Sequence, residues 1–321
     1  MTTRPVKPFA IYHEHPDWFR PLFAELKWRD IPFTPVNATR YAYDASAMAP
    51  EYSLFFNRMS PSAYLRGGAN ATFFTRNVLA HQEQCGVRVI NGTEAYTYEL
   101  SKALQMTLLQ SLGLGFPRTR VISHGETAPL AAEGLRFPIV VKANVGGSGA
   151  GIVRYDSMAE LEAAAENGTM DLGVDGTALV QEFVPKREGR ITRVETLGGK
   201  YLYAINVYAA SESFNLCPAD ICQTTEGVSL VRGACALDAP KSGMTVEAYT
   251  PPPSVIQAIE RIVQAAAIDV GGIEYMVDDR DGSLVYYDIN CLSNFVADAV
   301  NVIGFDPHVR LVDFLQAEAR H

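Results

Sequence analysis

Polar and apolar positions change period repeatedly along the chain, and the changes mark its elements. Short apolar runs at residues 8–12, 32–36, 53–56 and 87–90 have the length and composition of buried strands. Between the first two, His15-Pro16-Asp17 opens a helix through about Asp30, and Trp18, Phe19, Leu22, Phe23 and Leu26 recur on it at helical spacing. A further helix is expected over residues 72–85. Residues 1–92 therefore read as a small α/β unit. Residues 93–117 read as mainly helical, with Thr93 and Ser101 placed to cap two helix starts and Gly113 placed to stop the second. An apolar strand at 137–143 leads into a glycine-rich stretch, then a strand at 152–155 and a helix at 158–165. Strands follow at 178–184, 191–197 and 200–207, the last two joined as a hairpin at Gly198-Gly199. A well-patterned helix at 255–266 and another near 307–319 bracket the last hairpin. No internal repeat is present.

That last hairpin, residues 271–290, carries the first candidate chemistry. Its turn is Asp279-Arg280-Asp281-Gly282, with Gly282 suited to positive φ. A three-residue loop at 280–282 would pair Asp279 with Ser283, Met276 with Tyr286, and Glu274 with Asp288. Side chains alternate faces along a strand, so Asn290 would share a face with Asp288. Carboxylates directly across a ladder repel, and a divalent cation between them removes the repulsion. Glu274, Asp288 and Asn290 offer hard oxygen donors that suit Mg²⁺, which keeps positions for water and phosphate. The stretch alone leaves open a solvated hairpin whose acids never meet.

Three cations bear on that choice. Lys142 ends the apolar strand Phe137-Pro-Ile-Val-Val-Lys, just before Asn144-Val-Gly-Gly-Ser-Gly-Ala-Gly151. Backbone N–H groups around Gly146, Gly147, Ser148 and Gly149 can approach phosphate oxygens closely. The stretch is neither a Walker loop nor a dinucleotide fingerprint, and a bare hairpin tip is the other reading. Lys102 falls in the first turn of a helix, where the dipole does not favour a cation; an ordinary surface lysine is the alternative. Arg58 follows a strand end, where open α/β sheets commonly bind ligands, although a structural salt bridge fits equally.

Composition narrows the classes. At 321 residues the chain exceeds one typical domain, and two or three subdomains are expected. No apolar run reaches the roughly 18–20 residues that cross a bilayer, and the N-terminal stretch lacks the features of a signal peptide. A cytoplasmic protein without a membrane partner is expected. Cys85, Cys217, Cys222, Cys235 and Cys291 show no C-x-x-C pair, so reduced thiols are the default. A formal charge of −9 argues against nucleic acid as a partner.

A lysine with a glycine-rich hairpin, a strand-hinge-strand with a basic residue, and an acid hairpin ending Asp-x-Asn stand in one order. This set resembles the ATP-grasp superfamily, most closely the RimK-like and glutathione-synthetase-like carboxylate–amine ligases. The resemblance covers about residues 90–300. It rests on residues 137–142 and 146–151, Val180-Gln-Glu-Phe-Val184, Arg193, Gly271-Gly-Ile-Glu274 and Tyr287-Asp-Ile-Asn290. It implies an α/β (α+β) ATP-grasp fold in three parts. Residues 1–92 would be an N-terminal Rossmann-like pre-ATP-grasp domain. Residues 93–180 would be a central subdomain with a lid at about 118–180, and residues 181–321 a C-terminal subdomain with the metal site.

The resemblance also implies roles. Lys102, Lys142, Gly146, Gly147, Ser148 and Gly149 would hold ATP phosphates. Gln181, Glu182, Phe183 and Val184 match the segment whose backbone reads adenine. Glu188 matches the ribose ligand, across a stretch whose spacing departs from the family's. Glu274, Asp288 and Asn290 match the ligands of Mg²⁺, with Mn²⁺ an acceptable substitute, and Arg193 matches the catalytic cation. Arg58, Arg76 and Asn294 would face substrate, with regions 57–77 and 211–223 setting specificity. The implied reaction joins a small carboxylate and an amine, an amino acid or peptide, through an acyl phosphate, releasing ADP and phosphate. A homo-oligomer is compatible with this. A phosphotransferase without amide formation and a non-catalytic nucleotide-binding module are the alternatives.

Overall fold

The computed structural model describes residues 7–146, 151–208, 221–223, 229–231 and 245–320. Gly147, Ser148, Gly149 and most of the 211–223 segment, with Cys217, lie outside the described residues, as does Cys235.

The first unit is built from β1 (Phe9–His13), α1 (Arg20–Trp28), β2 (Phe33–Asn37), β3 (Leu54–Arg58), α2 (Ala69–Gln84) and β4 (Arg88–Ile90). Its four strands are parallel in the order β2-β1-β3-β4. β1 and β3 are buried along their whole length, which is why they read as unbroken apolar runs rather than alternating ones. The single helix expected from Pro16 is divided: residues 16–19 form a 3₁₀ turn and α1 begins at Arg20. Pro21 has no N–H to continue a helix through, yet it fits a first turn.

Two short helices follow, α3 (Thr93–Glu99) and α4 (Lys102–Ser111). Ser101 caps α4 as expected, accepting the Leu104 N–H at 3.2 Å. Thr93 does not cap α3; Gly92 holds that position. The Thr93 N–H and hydroxyl instead both donate to the Glu83 carboxylate, at 2.7 and 2.8 Å, so the helix start is satisfied from α2.

A second sheet contains β5 (Thr119–Ile122), β6 (Ile139–Ala143), β7 (Ile152–Tyr155) and β8 (Ala178–Glu182), antiparallel in the order β5-β8-β6-β7. α5 (Ala128–Ala132) and α6 (Met158–Glu166) cover one face through Ala128, Ala132, Leu161 and Ala165. β5 and α5 are too short and too exposed to stand out in the pattern. The third sheet is formed by β9 (Arg190–Leu197), β10 (Lys200–Tyr208), β13 (Thr245–Tyr249), β14 (Val270–Val277) and β15 (Leu284–Asn290), in the order β13-β10-β9-β14-β15. β11 (Ile221–Gln223) and β12 (Ser229–Val231) pair with each other. α7 (Pro253–Ala265) packs Val255, Ile259, Ile262 and Val263 with Leu109 of α4 and Ile273 of β14.

The other face of the third sheet joins the first unit. Ile191, Ile205 and Val207 share one core with Ile11, Leu22, Leu26 and Leu54, and with Leu311 and Leu315 of α9 (Pro307–Glu318). Preceding α9 is the short α8 (Ala299–Ile303). Burying each such side chain stabilises by about 1.5–3 kcal/mol, enough to hold the first sheet fixed against the third. Arg29 reinforces the seam from α1, reaching Asp313 of α9 at 2.6 Å.

His13 ends β1 with both ring nitrogens buried and without partners among the described residues. Burial, with a smaller contribution from His15, lowers its pKa from 6.5 to about 4. Between those values the unfolded chain binds a proton that the folded chain refuses, so stability falls as pH drops through the window and then levels. The loss amounts to about 3 kcal/mol. Denaturation midpoints measured across this range are expected to show that slope, and His13→Leu to flatten it.

Candidate active site

β14 runs between β9 and β15, and its residues set the grid of the site. Glu274 lies opposite Arg193 on one side and Asp288 on the other. One row away, Gly272 lies between Glu195 and Asn290. The expected pairing of Glu274 with Asp288 is present, but by a different route. At the hairpin tip the Asp278 N–H donates to the Ser283 carbonyl at 2.9 Å, so the loop has four residues, 279–282. Met276 consequently pairs with Val285, not Tyr286. A bulge next to Glu274 adds a residue to β15 and restores the register. The extra residue, Tyr287, is swung onto the acid face, where its hydroxyl donates to Glu274 Oε2 at 2.7 Å.

Each carboxylate already has a cation. Arg193 Nη1 meets Glu274 Oε1 at 2.9 Å, while its Nε donates to Glu195 Oε1 at 2.6 Å. The Ser293 hydroxyl donates to the other oxygen of Glu195, and Arg193 Nη2 reaches Ser293 Oγ at 3.3 Å. Lys102 Nζ donates to Asp288 Oδ1, and the Asn290 amide donates to Asp288 Oδ2 at 3.1 Å. Burial raises the pKa of Glu274 despite Arg193. For Asp288 burial acts in the same sense, but Lys102, helped by Lys142 and the Asn290 amide, outweighs it and the carboxyl is held below its usual range.

The two lysines come from different elements, Lys102 from α4 and Lys142 from β6, and are brought together by Asn144. Its Oδ1 accepts from the Ala103 N–H at 2.9 Å and from Ser101 Oγ at 3.2 Å, at the start of α4. Its Nδ2 donates to Asp175 at 2.7 Å. Lys142, two residues earlier on β6, is thereby held near Lys102. It is buried, and burial together with the Lys102 charge lowers its pKa to about 7. A polyphosphate beside it would restore the charge. Nucleotide binding above that pH is therefore expected to take up a proton, and to stop doing so a unit or more below it. Calorimetry in buffers of different ionisation enthalpy measures this directly.

At the end of β8, the Glu182 N–H donates to Arg118 O at 2.9 Å and the Phe183 N–H to Pro138 O at 3.0 Å. The Glu182 carboxylate accepts the Arg136 N–H at 3.0 Å, and the Gln181 amide donates to Thr119 Oγ1 at 2.7 Å. Both side chains thus serve the second sheet. Phe183 is stacked under the Arg154 guanidinium of β7, 5.0 Å from the ring centre. Glu188 sits exposed in a turn with φ of 56° and pairs with Arg190 at 3.3 Å.

Among the residues expected at substrate, Arg58 and Asn294 are brought together and Arg76 is not. Arg58 is 3% exposed and donates through Nη2 to the Ser293 carbonyl and to Asn294 Oδ1, the latter at 2.8 Å. Phe19 and Phe56 stack against it, and burial lowers its pKa to about 10. Its Nε and Nη1 have no partner among the described residues. Arg76 stands on the exposed side of α2.

Several participants had little or no signal in the sequence. Glu195 is legible only as the residue that shares a strand face with Arg193. Ser293 reaches Glu195 across 98 positions, and Glu99 accepts the Cys291 N–H across 192. Glu99 is buried, which raises its pKa to about 7, and it fixes the peptide just after Asn290. Cys85 and Cys291 are free, buried thiols.

The donor set suits a metal shared with a ligand. Among the described residues no group of three His, Cys, Asp or Glu side chains could hold an ion by itself. Two facing carboxylates and an amide, each carboxylate paired with a cationic side chain, fit a hard cation that completes its shell with water and phosphate.

No family model matches the chain. Among curated proteins similar to it, a probable alpha-L-glutamate ligase from Thioalkalivibrio sulfidiphilus is 30% identical over 221 residues, covering 64% of this chain and 72% of that protein. The chain belongs to the RimK-like ATP-grasp family. A probable alpha-L-glutamate ligase 2 from Pseudoalteromonas atlantica is 29% identical over 150 residues, so that match spans 46% of this chain and about half, 49%, of the relative. Solved structures give the ATP-grasp fold over nearly the whole chain. A RimK domain ATP-grasp protein from Sphaerobacter thermophilus aligns with a TM-score of 0.67 at 18% identity, covering 96% of this chain and 98% of that one. The D-Ala:D-Ser ligase VanG from Enterococcus faecalis aligns at 0.67 and 16%, covering 98% and 99%. The ATP-grasp ligase PsnB, solved with a precursor variant, Mg and ADP, aligns at 0.68 and 16%, covering 98% and 99%. Within this RimK-like fold, the strands of the parallel sheet run from Phe9 to Ile90, and those of the antiparallel sheet carrying Lys142 are β5, β6, β7 and β8. Among the described residues no helix is long and apolar enough to cross a membrane.

Proposed function

We propose that this RimK-like protein is an ATP-dependent carboxylate–amine ligase of the cytoplasm. It would join a small carboxylate to an amine, with an amino acid or peptide on at least one side. The carrying observation is the convergence of Lys102, Lys142 and Arg193 on the facing pair Glu274 and Asp288. Relatives named as glutamate ligases support the amino-acid class.

The parts would act as follows. Lys142 and Lys102, with the backbone of residues 146–149, hold the ATP phosphates; Val184 meets the base edge, because the Glu182 and Phe183 N–H groups are engaged. Glu188 is the ribose candidate. Glu274, Asp288 and Asn290 would hold Mg²⁺, or Mn²⁺ in its place, which neutralises phosphate charge when bound. Arg193 faces the transferred phosphoryl group. A carboxylate oxygen of the substrate attacks the γ-phosphorus, the bond to the ADP oxygen breaks, and an acyl phosphate results. The amine then attacks the acyl carbon, phosphate leaves with the bonding electron pair, and the amine's proton is lost to solvent. Arg58 and Asn294 would frame the acceptor side, without Arg76, which stands apart on α2.

The test is ADP release in the presence of MgATP and pooled amino acids and dipeptides, followed by mass spectrometry of the products. An amine-dependent product heavier by the acyl group supports the ligase. A phosphorylated acceptor without amide would overturn it in favour of phosphotransfer, and nucleotide binding without turnover under any acceptor would overturn it in favour of a binding module.

A further inference from the structure

Gly271 and Gly272 stand together in the middle of β14, where glycine weakens a strand. Neither is among the residues of positive φ, so backbone conformation does not require them. Space does, and for different reasons. A Cβ on Gly271 would lie 2.7 Å from Ile268 Cγ2 and 3.0 Å from the Asn290 carbonyl oxygen, a clash with a packed side chain and with the backbone of the neighbouring strand. On Gly272 it would lie 2.6 Å from Arg193 Nη2, 2.9 Å from Cζ and 3.0 Å from Nε. Those three atoms define the guanidinium plane.

The grid explains this closeness. Arg193 is rooted opposite Glu274, but its head does not stop there. It crosses to the row of Glu195, Gly272 and Asn290, whose central place is empty because Gly272 has no side chain. Lying on that place, the guanidinium reaches Glu195 at 2.6 Å and Glu274 at 2.9 Å at once. Glu195 is itself fixed by Ser293, so the head has little freedom to slide.

We propose that Gly272 is a positioning residue for Arg193: the missing Cβ lets the guanidinium lie flat on β14, shared between Glu195 and Glu274. The inference rests on the reading of Arg193 as the cation that faces phosphate. A methyl at 272 must lift the head by about an ångström to reach ordinary van der Waals separation, which lengthens and misaligns its contacts with Glu195 and Glu274.

Mn²⁺ alone is the probe, titrated by electron paramagnetic resonance at mildly alkaline pH without nucleotide. Four proteins are compared: wild type, Gly272→Ala, Arg193→Met and the double variant. Arg193→Met takes the cation off a metal carboxylate and Gly272→Ala weakens its hold there, so Mn²⁺ binding is expected to tighten about tenfold in the first and about fivefold in the second. In the Arg193→Met background, Gly272→Ala is expected to change it less than about twofold, because its effect runs through Arg193. Wild-type affinity in Gly272→Ala, or an equal shift in both backgrounds, overturns the proposal. Should Gly272→Ala fail to fold, the double variant is expected to fold, the clash having been removed, and its failure overturns the proposal too. Loss of turnover in Arg193→Met tests the reading of Arg193 separately.

Discussion

Asp288→Asn is expected to lower ATP turnover by about a thousandfold or more while leaving the protein folded. Asp288 is the carboxylate that the site keeps ionised, held below its usual range by Lys102. The amide has the same shape but brings no charge to a divalent cation, and it no longer balances Lys102. Removing one partner of a fully buried ion pair costs about 3–5 kcal/mol. Here the cost is smaller, because the Lys102 side chain is 15% exposed and can be reached by water in the cleft. Steady-state ATP consumption and thermal unfolding measure the two parts, and Mg²⁺-dependent ADP binding reports the metal site itself. Near-wild-type turnover would mean that the metal does not use this residue.

Arg193→Met is expected to reduce turnover by about a hundred- to a thousandfold, with MgATP affinity changed by less than about threefold. The split follows from position. In the proposed reading Lys102 and Lys142 would hold the nucleotide in its ground state, whereas Arg193 stands across the grid, on Glu195 and Glu274. A cation so placed acts on charge that develops during transfer. Methionine keeps the aliphatic packing of the arginine stem, so the loss reports the charged head. Equal losses in nucleotide affinity and turnover would place Arg193 in ground-state binding.

Much of the fold was legible because its strands declare themselves. β1 and β3 are buried on both faces and read as apolar runs, while α7 presents a regular apolar stripe. β5 and α5 were not legible, since four or five residues in partial exposure leave no period to detect. The division of the first helix at Pro21 needed the second proline to be weighed along with the first.

The site was legible to the extent that its residues are close in sequence or alternate along one strand. Lys142 beside the glycine-rich stretch, and Glu274, Asp288 and Asn290 on one hairpin, met both conditions. The facing of Glu274 and Asp288 was inferred from a loop one residue too short. It survives because the bulge at Tyr287 shifts the register by one in the opposite sense. Pattern alone could not find that bulge, since alternation in β15 is read from the very residues it displaces.

What the sequence by itself determined is therefore the set of chemical groups, their order, and the family to which that order belongs. Local periodicity carries such information, because side-chain direction in a strand or helix is fixed by the backbone. Which groups share a site was decided by the tertiary structure. Asn144 joins two lysines from different elements, Ser293 and Glu99 act across long chain separations, and Gly272 matters only because Arg193 crosses from the neighbouring strand. The physical reason is the same in each case. A hydrogen bond or a steric gap depends on distance in space, and only packing the three sheets against one another sets that distance.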